Sequence, residues 1–424
     1  MNRIVAFFIV LISSIIYHSP ISAKTNIDSI RANKEVIQGT FYVAPAPVPY
    51  EIPKSPTEYP DSLGFISKFP EWSRKYLNSL MRGNIDRTHE KALDVGFAIT
   101  PSYTREGGFG IGGAMTGLYR VNRKDSTMQP SDIFASINVS YKGFYVLTLK
   151  GNNLFNDHRS RLSYKTELYQ KRLNFWGITS EETAKNRQSQ YDRRQIDVQA
   201  EYIYKVNRNV YAGAMLRSNY TDAKRILNPE YLLGDRPQYY VTGMGVSLEY
   251  DSRNNLLTPT KGLHIAYKPM IYPKGLGNAP KTFFSHTFIA NGYFHMWNGA
   301  ILAVDLYTKL NSVNTPWTMR EMLASDGIRM RGYYMGSTID NNQVVAQIEY
   351  RQHLWKRLGM TAWVGNATLF ADFDEFKDQN IKPEWLYNFG VGIRYEFKHN
   401  GNARIGWCFG EGTNGIVFAI GEAF

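Results

Sequence analysis

Ile196-Asp-Val-Gln-Ala-Glu-Tyr202 alternates without a break. Along a strand successive side chains point to opposite faces, so Ile196, Val198 and Tyr202 share one side and Asp197, Gln199 and Glu201 the other. A soluble sandwich buries its inner face against a second sheet and would not set carboxylates there. A membrane barrel inverts that rule, being apolar towards lipid and polar towards its lumen. The pattern recurs. Ile133, Ala135, Ile137, Val139 and Tyr141 oppose Ser136, Asn138 and Ser140, and Val246–Tyr250, Val344–Tyr350 and Val391–Phe397 alternate in the same way. The expected fold is therefore all-β, a transmembrane antiparallel β-barrel.

Composition agrees. The 424 residues include 29 Tyr and 23 Phe, yet mean hydropathy is only −0.37. Many aromatics at low mean hydropathy suit strands that are apolar on one side only. After the N-terminus no run approaches the roughly 18 apolar residues of a membrane helix. A single cysteine, Cys408, excludes internal disulfides and thiolate metal clusters. The net charge of +12 favours anionic surroundings, but the basic residues are spread thinly and argue against nucleic acid.

From residue 92 to 424 the alternating runs number about sixteen. They start near residues 93, 108, 132, 143, 158, 191, 209, 240, 262, 282, 299, 342, 358, 385, 402 and 414. That leaves roughly 21 residues for each strand with its share of loop, compatible with membrane strands of about 9–11 residues. One connection is long, Asn311 to Asn342, and long loops in a compact domain tend to be functional. Its centre is Asp326-Gly-Ile-Arg-Met-Arg331-Gly-Tyr-Tyr334. Alternation in the next strand puts Val344, Ala346, Ile348 and Tyr350 towards lipid and Gln347, Glu349 and Arg351 in the lumen. A carboxylate there can take a guanidinium in two parallel hydrogen bonds, which singles out Arg331 and Glu349.

The N-terminal region differs from the rest. Asn2-Arg3, the apolar run Ile4–Ile16 and Ile21-Ser-Ala23 read as a secretory signal peptide over 1–23, with no cysteine after it for a lipid anchor. Residues 24–91 form a Pro-rich periplasmic segment. Ala44–Tyr50 is expected to be extended, and residues 70–82 to form a short helix closed by Gly83, with Pro70 in its first turn. The helix is expected to pack under the main domain, with a mobile plug or interfacial helix as the alternative, and the segment is a candidate contact for a periplasmic protein partner. At the other end, Gly415–Phe424 alternates as a strand with an aromatic last. Phe418, Ile420 and Phe424 fit the signal by which barrel-assembly machinery recognises outer-membrane barrels for insertion.

Rival chemistry is weaker. Gly108-Phe-Gly110-Ile-Gly-Gly113 resembles a dinucleotide fingerprint, but it lies within a strand with no helix after it. Ser285 and His286 are adjacent, so on a strand they face opposite sides and cannot pair as nucleophile and base. Asp372-Phe-Asp374-Glu375 carries calcium-type oxygen ligands but reads more simply as a solvated acidic loop. No enzyme, cofactor or metal site is expected.

Met330-Arg331-Gly332-Tyr333 resembles the Arg-Gly-aromatic motif of the BamA/TamA superfamily of outer-membrane assembly and translocation barrels, also called bacterial surface antigen proteins. Within Tyr250–Gly262, Asp251, Arg253, Pro259 and Gly262 look like its periplasmic turn. The strand holding Glu349, the Gly390–Phe397 strand and the Phe424 ending are also similar. The resemblance implies a sixteen-stranded barrel whose first and last strands pair imperfectly, with Arg331 docked in the lumen on Glu349. Two departures stand out. Gly365 occupies a position where the family often has Asp, and the chain has no POTRA domains, so it looks like a barrel-only member. The implied role is to assist protein insertion or transport in the cell outer membrane through a weak seam, among outer-membrane lipid and lipopolysaccharide. The alternative is a structural or pore-forming barrel.

Overall fold

The structure, a computed structural model, describes residue 70 and residues 86–104, 108–125, 128–373, 384–398 and 400–424. The signal peptide, the Pro-rich stretch, the helix expected after Pro70, and Asp374 and Glu375 lie outside the described residues. Contacts divide the chain into Met1–Lys54, outside the described residues, and Ser55–Phe424.

The strands in order are β1 (Asp94–Thr104), β2 (Gly108–Tyr119), β3 (Ser131–Ser140), β4 (Tyr145–Leu154), β5 (Ser160–Phe175), β6 (Ser189–Asn207), β7 (Val210–Lys224), β8 (Gln238–Asp251) and β9 (Gly262–Tyr272). Then come β10 (Phe283–His295), β11 (Ala300–Asn311), β12 (Glu321–Met322), β13 (Ile339–Asp340), β14 (Asn342–Trp355), β15 (Leu358–Phe370), β16 (Leu386–Lys398), β17 (Gly401–Gly410) and β18 (Thr413–Ile420). Apart from the small β12–β13 ladder, sixteen strands form one antiparallel sheet in chain order. Each starts within two residues of the position read from alternation. A chain-order antiparallel sheet needs only hairpin connections, which is why the sequence reads as a plain series of strands.

Every neighbouring pair in this order has a defined register, from Asp94↔Leu118 at one end to Gly410↔Thr413 at the other. The sheet curls so that β1 returns beside β16 and β18, yet among the described residues no ladder joins β1 to β18. Among the described residues no helix is long and apolar enough to cross a membrane.

The two faces behave as alternation predicts. On β6, Ile196, Val198, Tyr202, Tyr204 and Val206 are exposed on the outside, and Asp197 is buried inside against Arg217. On β8, Val246, Leu248 and Tyr250 are exposed while Ser247 and Glu249 are buried. Apolar side chains in the lumen collect in three clusters. Leu173, Phe175, Tyr191 and Trp317 belong to one, Tyr272, Phe283 and Met319 to a second, and Leu323, Met330, Val345 and Leu369 to a third. Each contains residues from the connection between β11 and β14, so that connection packs against the inward apolar side chains of the wall.

The inside-out reading can be checked at adjacent residues. Val198→Lys puts an ammonium on the lipid face between interface and midplane and should cost roughly 1–2 kcal/mol of folding free energy, intermediate between the ~0–1 of the interface and the ~2–4 of the midplane. Gln199→Lys, which faces the central cavity, should cost little. Equal denaturant stability for the two variants in lipid vesicles would refute the assignment of faces.

Candidate functional site

Residues 312–341 leave β11, make one 3-10 turn at Trp317–Met319, and run through β12, an inward excursion and β13 before entering β14. Trp317 is fully buried, edge-on to Tyr191 with ring centroids 5.7 Å apart, and its indole N–H donates to the Arg236 carbonyl at 2.8 Å. These contacts anchor the loop's first arm, and the excursion then carries residues 326–334 to the lumenal wall.

There Arg331 is 4% exposed and Glu349, on β14, is wholly buried. The Arg331 Nη2 donates to Glu349 Oε2 at 2.8 Å, and its guanidinium carbon lies 3.8 Å from the Trp363 ring centroid. The other Glu349 oxygen accepts from Arg351 Nε at 2.9 Å. One carboxylate is thus held by a guanidinium from the loop and another from its own strand. Met330 and Gly332 both adopt left-handed backbone, with φ of 51° and 106°. That reversal drops Met330 into the third apolar cluster while its N–H donates to Gln347 Oε1 at 3.2 Å. At Gly332 the positive φ strains any other residue, and a Cβ would also make a tight 3.0 Å contact with Cys408 Cβ. Asn388 Nδ2 donates to the Arg331 carbonyl at 3.1 Å.

The motif also grips the terminal hairpin. Thr413 Oγ1, at the start of β18, donates to the Gly332 carbonyl at 3.0 Å. The Tyr333 hydroxyl donates to the Tyr387 carbonyl at 2.8 Å and accepts from the Glu411 N–H at 2.9 Å. Burial pushes the Tyr333 phenol above the ordinary tyrosine range, which keeps that donor protonated.

All four motif residues and Glu349 therefore meet at one place. The departure at Gly365 has a steric account. A Cβ there would lie 2.4 Å from Asn388 Oδ1 and 2.9 Å from Gln347 Cγ, so the space for an Asp is taken. The partners of Arg331 beyond Glu349 are an aromatic face and an amide rather than a second acid.

A second docking pair was not singled out from the sequence. Arg329 forms a two-pronged contact with Asp305 on β11, Nε to Oδ2 at 2.7 Å and Nη2 to Oδ1 at 2.9 Å, and its third nitrogen reaches Asp326 Oδ2 at 2.7 Å. Its guanidinium carbon lies 4.2 Å from the Tyr307 ring centroid. Asp305 is fully buried and also accepts from Asn291 and Gln347. The available signal was alternation in Ala300–Asn311, which places Asp305 on the lumenal side.

The C-terminus departs from the expected strand. β18 ends at Ile420, and Gly421, at φ 92°, turns the chain. Phe418 stays exposed on the outside, Ile420 is half-buried, and Phe424 is not on the strand. Arg351 Nη2 donates to the main-chain oxygen of Phe424 at 3.0 Å. Arg404 Nε donates to the Gly421 carbonyl at 2.6 Å, and Glu422 takes Arg394 and Asn402. Arg351 thus connects Glu349 to the tail.

The turn motif closes the opposite rim. Arg253 chelates Asp251 at 2.9 and 2.8 Å, and Asp251 also takes Arg161 at 3.0 Å. Gly262 has φ 108° and lies so close to Ser252 that a Cβ would be 2.3 Å from its carbonyl oxygen. Pro259 is buried. The turn reaches across the barrel, pairing with Gln129 through the Asn254 carbonyl at 3.2 Å and with Asn400 through Thr258 at 2.9 Å. Glu249, Asp251 and His264 cluster closely enough to hold a metal ion, but Arg161, Arg253 and Lys268 already occupy the carboxylates. Ser285 faces the lumen and His286 the outside against Tyr267, while Gly108–Gly113 lies within β2. Between loop and turn remains a polar cavity of about 570 Å³ lined by Lys150, Asp197, Glu201, Arg217, Lys268 and Arg329 among others.

No protein-family model and no curated protein matches the chain. Solved structures do. CdiB from Escherichia coli is similar at 10% identity and a TM-score of 0.53, over 78% of this chain and 63% of that one. BamA from Haemophilus ducreyi lacking POTRA domains 1-3 matches at 11% identity and a TM-score of 0.48, over 78% and 70%. CdiB from Acinetobacter baumannii matches at 10% and 0.46, over 82% and 67%. The chain thus shares the outer-membrane barrel fold of E. coli CdiB while spanning less than two thirds of its length.

Arg331→Ala leaves Glu349 buried with Arg351 as its remaining partner, and should lower stability by about 3 kcal/mol. Arg329→Ala strips Asp305 of its two-pronged partner and should cost a comparable amount. Both should lower the temperature at which the compact gel band of the unheated protein converts to the unfolded one. If that temperature stayed at the wild-type value in both variants, the docking account would be wrong.

Proposed function

We propose that the chain acts in the outer membrane as a barrel of the assembly and translocation superfamily, easing the insertion or passage of proteins where β1 meets β18. The observation that carries this reading is the missing ladder. All other neighbouring strands are hydrogen-bonded in register, while none joins β1 to β18 among the described residues. Unpaired strand edges are costly in hydrocarbon and are a ready template for another strand. The lumen is filled from one rim by residues 312–341 and from the other by residues 252–261, which disfavours a wide steady pore. On this reading Arg331, Gly332 and Tyr333 hold the terminal hairpin in place, and residues 24–91 engage a periplasmic protein partner.

The rival reading is a structural or pore-forming barrel, and two measurements separate them. Removing the protein from its host should reduce the amounts of other outer-membrane proteins and disturb lipid asymmetry. The purified barrel in planar bilayers should show small, flickering conductance. Unaltered outer-membrane composition together with a large steady conductance would favour the pore instead.

A further inference from the structure

We infer that the outer face of β5–β8, at the rim carrying the longest loops, is a binding site for a phosphorylated lipid headgroup. Tyr191 and Arg193 point inward, to Trp317 and the Thr318 carbonyl, so their neighbours Asp192 and Arg194 point outward. Register then assembles two outward rungs across adjacent strands. Arg172 stands opposite Asp192, which stands opposite Lys224, and Gln170 opposite Arg194, which stands opposite Asp222. Arg225 joins the first rung through Asp192.

The position along the strands is informative. Immediately below the rungs the outer face turns apolar, with Ile196 on β6 beside Tyr220 and Tyr240 on β7 and β8. From Ile196 to Val206 that face covers the length a bilayer requires, about 9–11 residues for a tilted strand. The two tyrosines stand where an aromatic belt meets headgroups. The charged rungs therefore lie at headgroup level rather than in hydrocarbon.

The charges do not cancel. Four cations, Arg172, Arg194, Lys224 and Arg225, face two carboxylates, Asp192 and Asp222. Asp192 is shared by Arg172 and Arg225 and is 4% exposed at its side chain, and Lys224 pairs with Asp222 at 3.2 Å, yet Arg225 remains 65% and Lys224 51% exposed. Arg194 donates to Gln170 Oε1 at 2.9 Å and forms no ion pair among the described residues. A planar guanidinium with unused donors beside an exposed ammonium is suited to phosphate oxygens. Arg225 holds a left-handed backbone at φ 49°, a conformation uncommon for a long side chain.

The ligand class follows from depth. A phosphate at the end of an acyl-bearing headgroup can reach the rungs while its chains lie on the apolar strip below. Free phosphate would gain only the polar half. The site rests on the outer-membrane reading, in which this rim faces the outer leaflet, but it needs no insertion or transport activity.

The test uses the full chain in detergent micelles and native mass spectrometry. The probes are bis-phosphorylated lipid A, the same glycolipid without its phosphates, and inorganic phosphate. Wild type should retain the phosphorylated glycolipid and hold the dephosphorylated form at least ~10-fold more weakly, the difference expected from losing charge-assisted hydrogen bonds. The double variant Arg194→Gln, Lys224→Gln should lose binding by a similar factor. Lys274→Gln, Lys281→Gln, on the connection between β9 and β10 at the same rim, should not. Both variants are surface changes, and their compact gel band reports folding. Equal retention with and without phosphates, equal loss in the two double variants, or inorganic phosphate bound as tightly as the glycolipid would each overturn the site. Failure of the proposed assembly role would appear only in the depletion experiment and leave these affinities unchanged.

Discussion

Glu349 is a carboxylate with no exposed surface, and much of the lumen is arranged around it. A lone buried charge is expensive, and a pair repays the cost only when geometry and further hydrogen bonds are good. Here two guanidiniums each take one of the Glu349 oxygens. Arg331 is carried by the loop and Arg351 by the strand, and Arg351 goes on to hold the tail through Phe424. Removing either guanidinium leaves the other's site incomplete. Loop and tail are thereby joined through one side chain although neither touches the other in sequence.

The same constraint operates at larger scale. An outside that must be apolar across the bilayer sends the charges of that span inward, where charges must find one another. Glu201 and Glu249 share Lys268, Glu249 and Asp251 share Arg161, and Asp251 takes Arg253. Such a chain of pairs ties β5, β6, β8 and β9 across the lumen, work that an apolar core does in a soluble domain. Apolar packing joins the loop's Trp317, Met319, Leu323 and Met330 to wall residues such as Phe175, Tyr272 and Val345.

What the sequence made legible was what has a period. Alternation located all sixteen strands and correctly oriented Gln347, Glu349 and Arg351. A single motif pointed to Arg331. Contacts between distant segments have no period, so the Trp363 ring under Arg331, the Asp305 site for Arg329 and the reach of the 252–261 turn to Gln129 and Asn400 were silent. Phe424 is instructive in a different way. Its alternation with Phe418 and Ile420 is regular, but Gly421 reverses the backbone and the pattern carries no sign of it. Gly365 could be read as a departure but not as a consequence, because the reason is Asn388 on the neighbouring strand.

The pocket that receives the loop is made of Glu349, Trp363, Asn388, Cys408 and Thr413, contributed by five successive strands from β14 to β18. The guest, Arg331-Gly332-Tyr333, leaves the ribosome before any of its hosts. Glu349 and Trp363 follow soon after it, but its full set of partners is assembled only when the final hairpin is in register, and closing so many intervening residues is slow compared with local turns. Docking is therefore among the last steps of maturation. A protein with the motif seated has, by that fact, completed its wall, so accessibility of Arg331 distinguishes finished barrels from stalled ones.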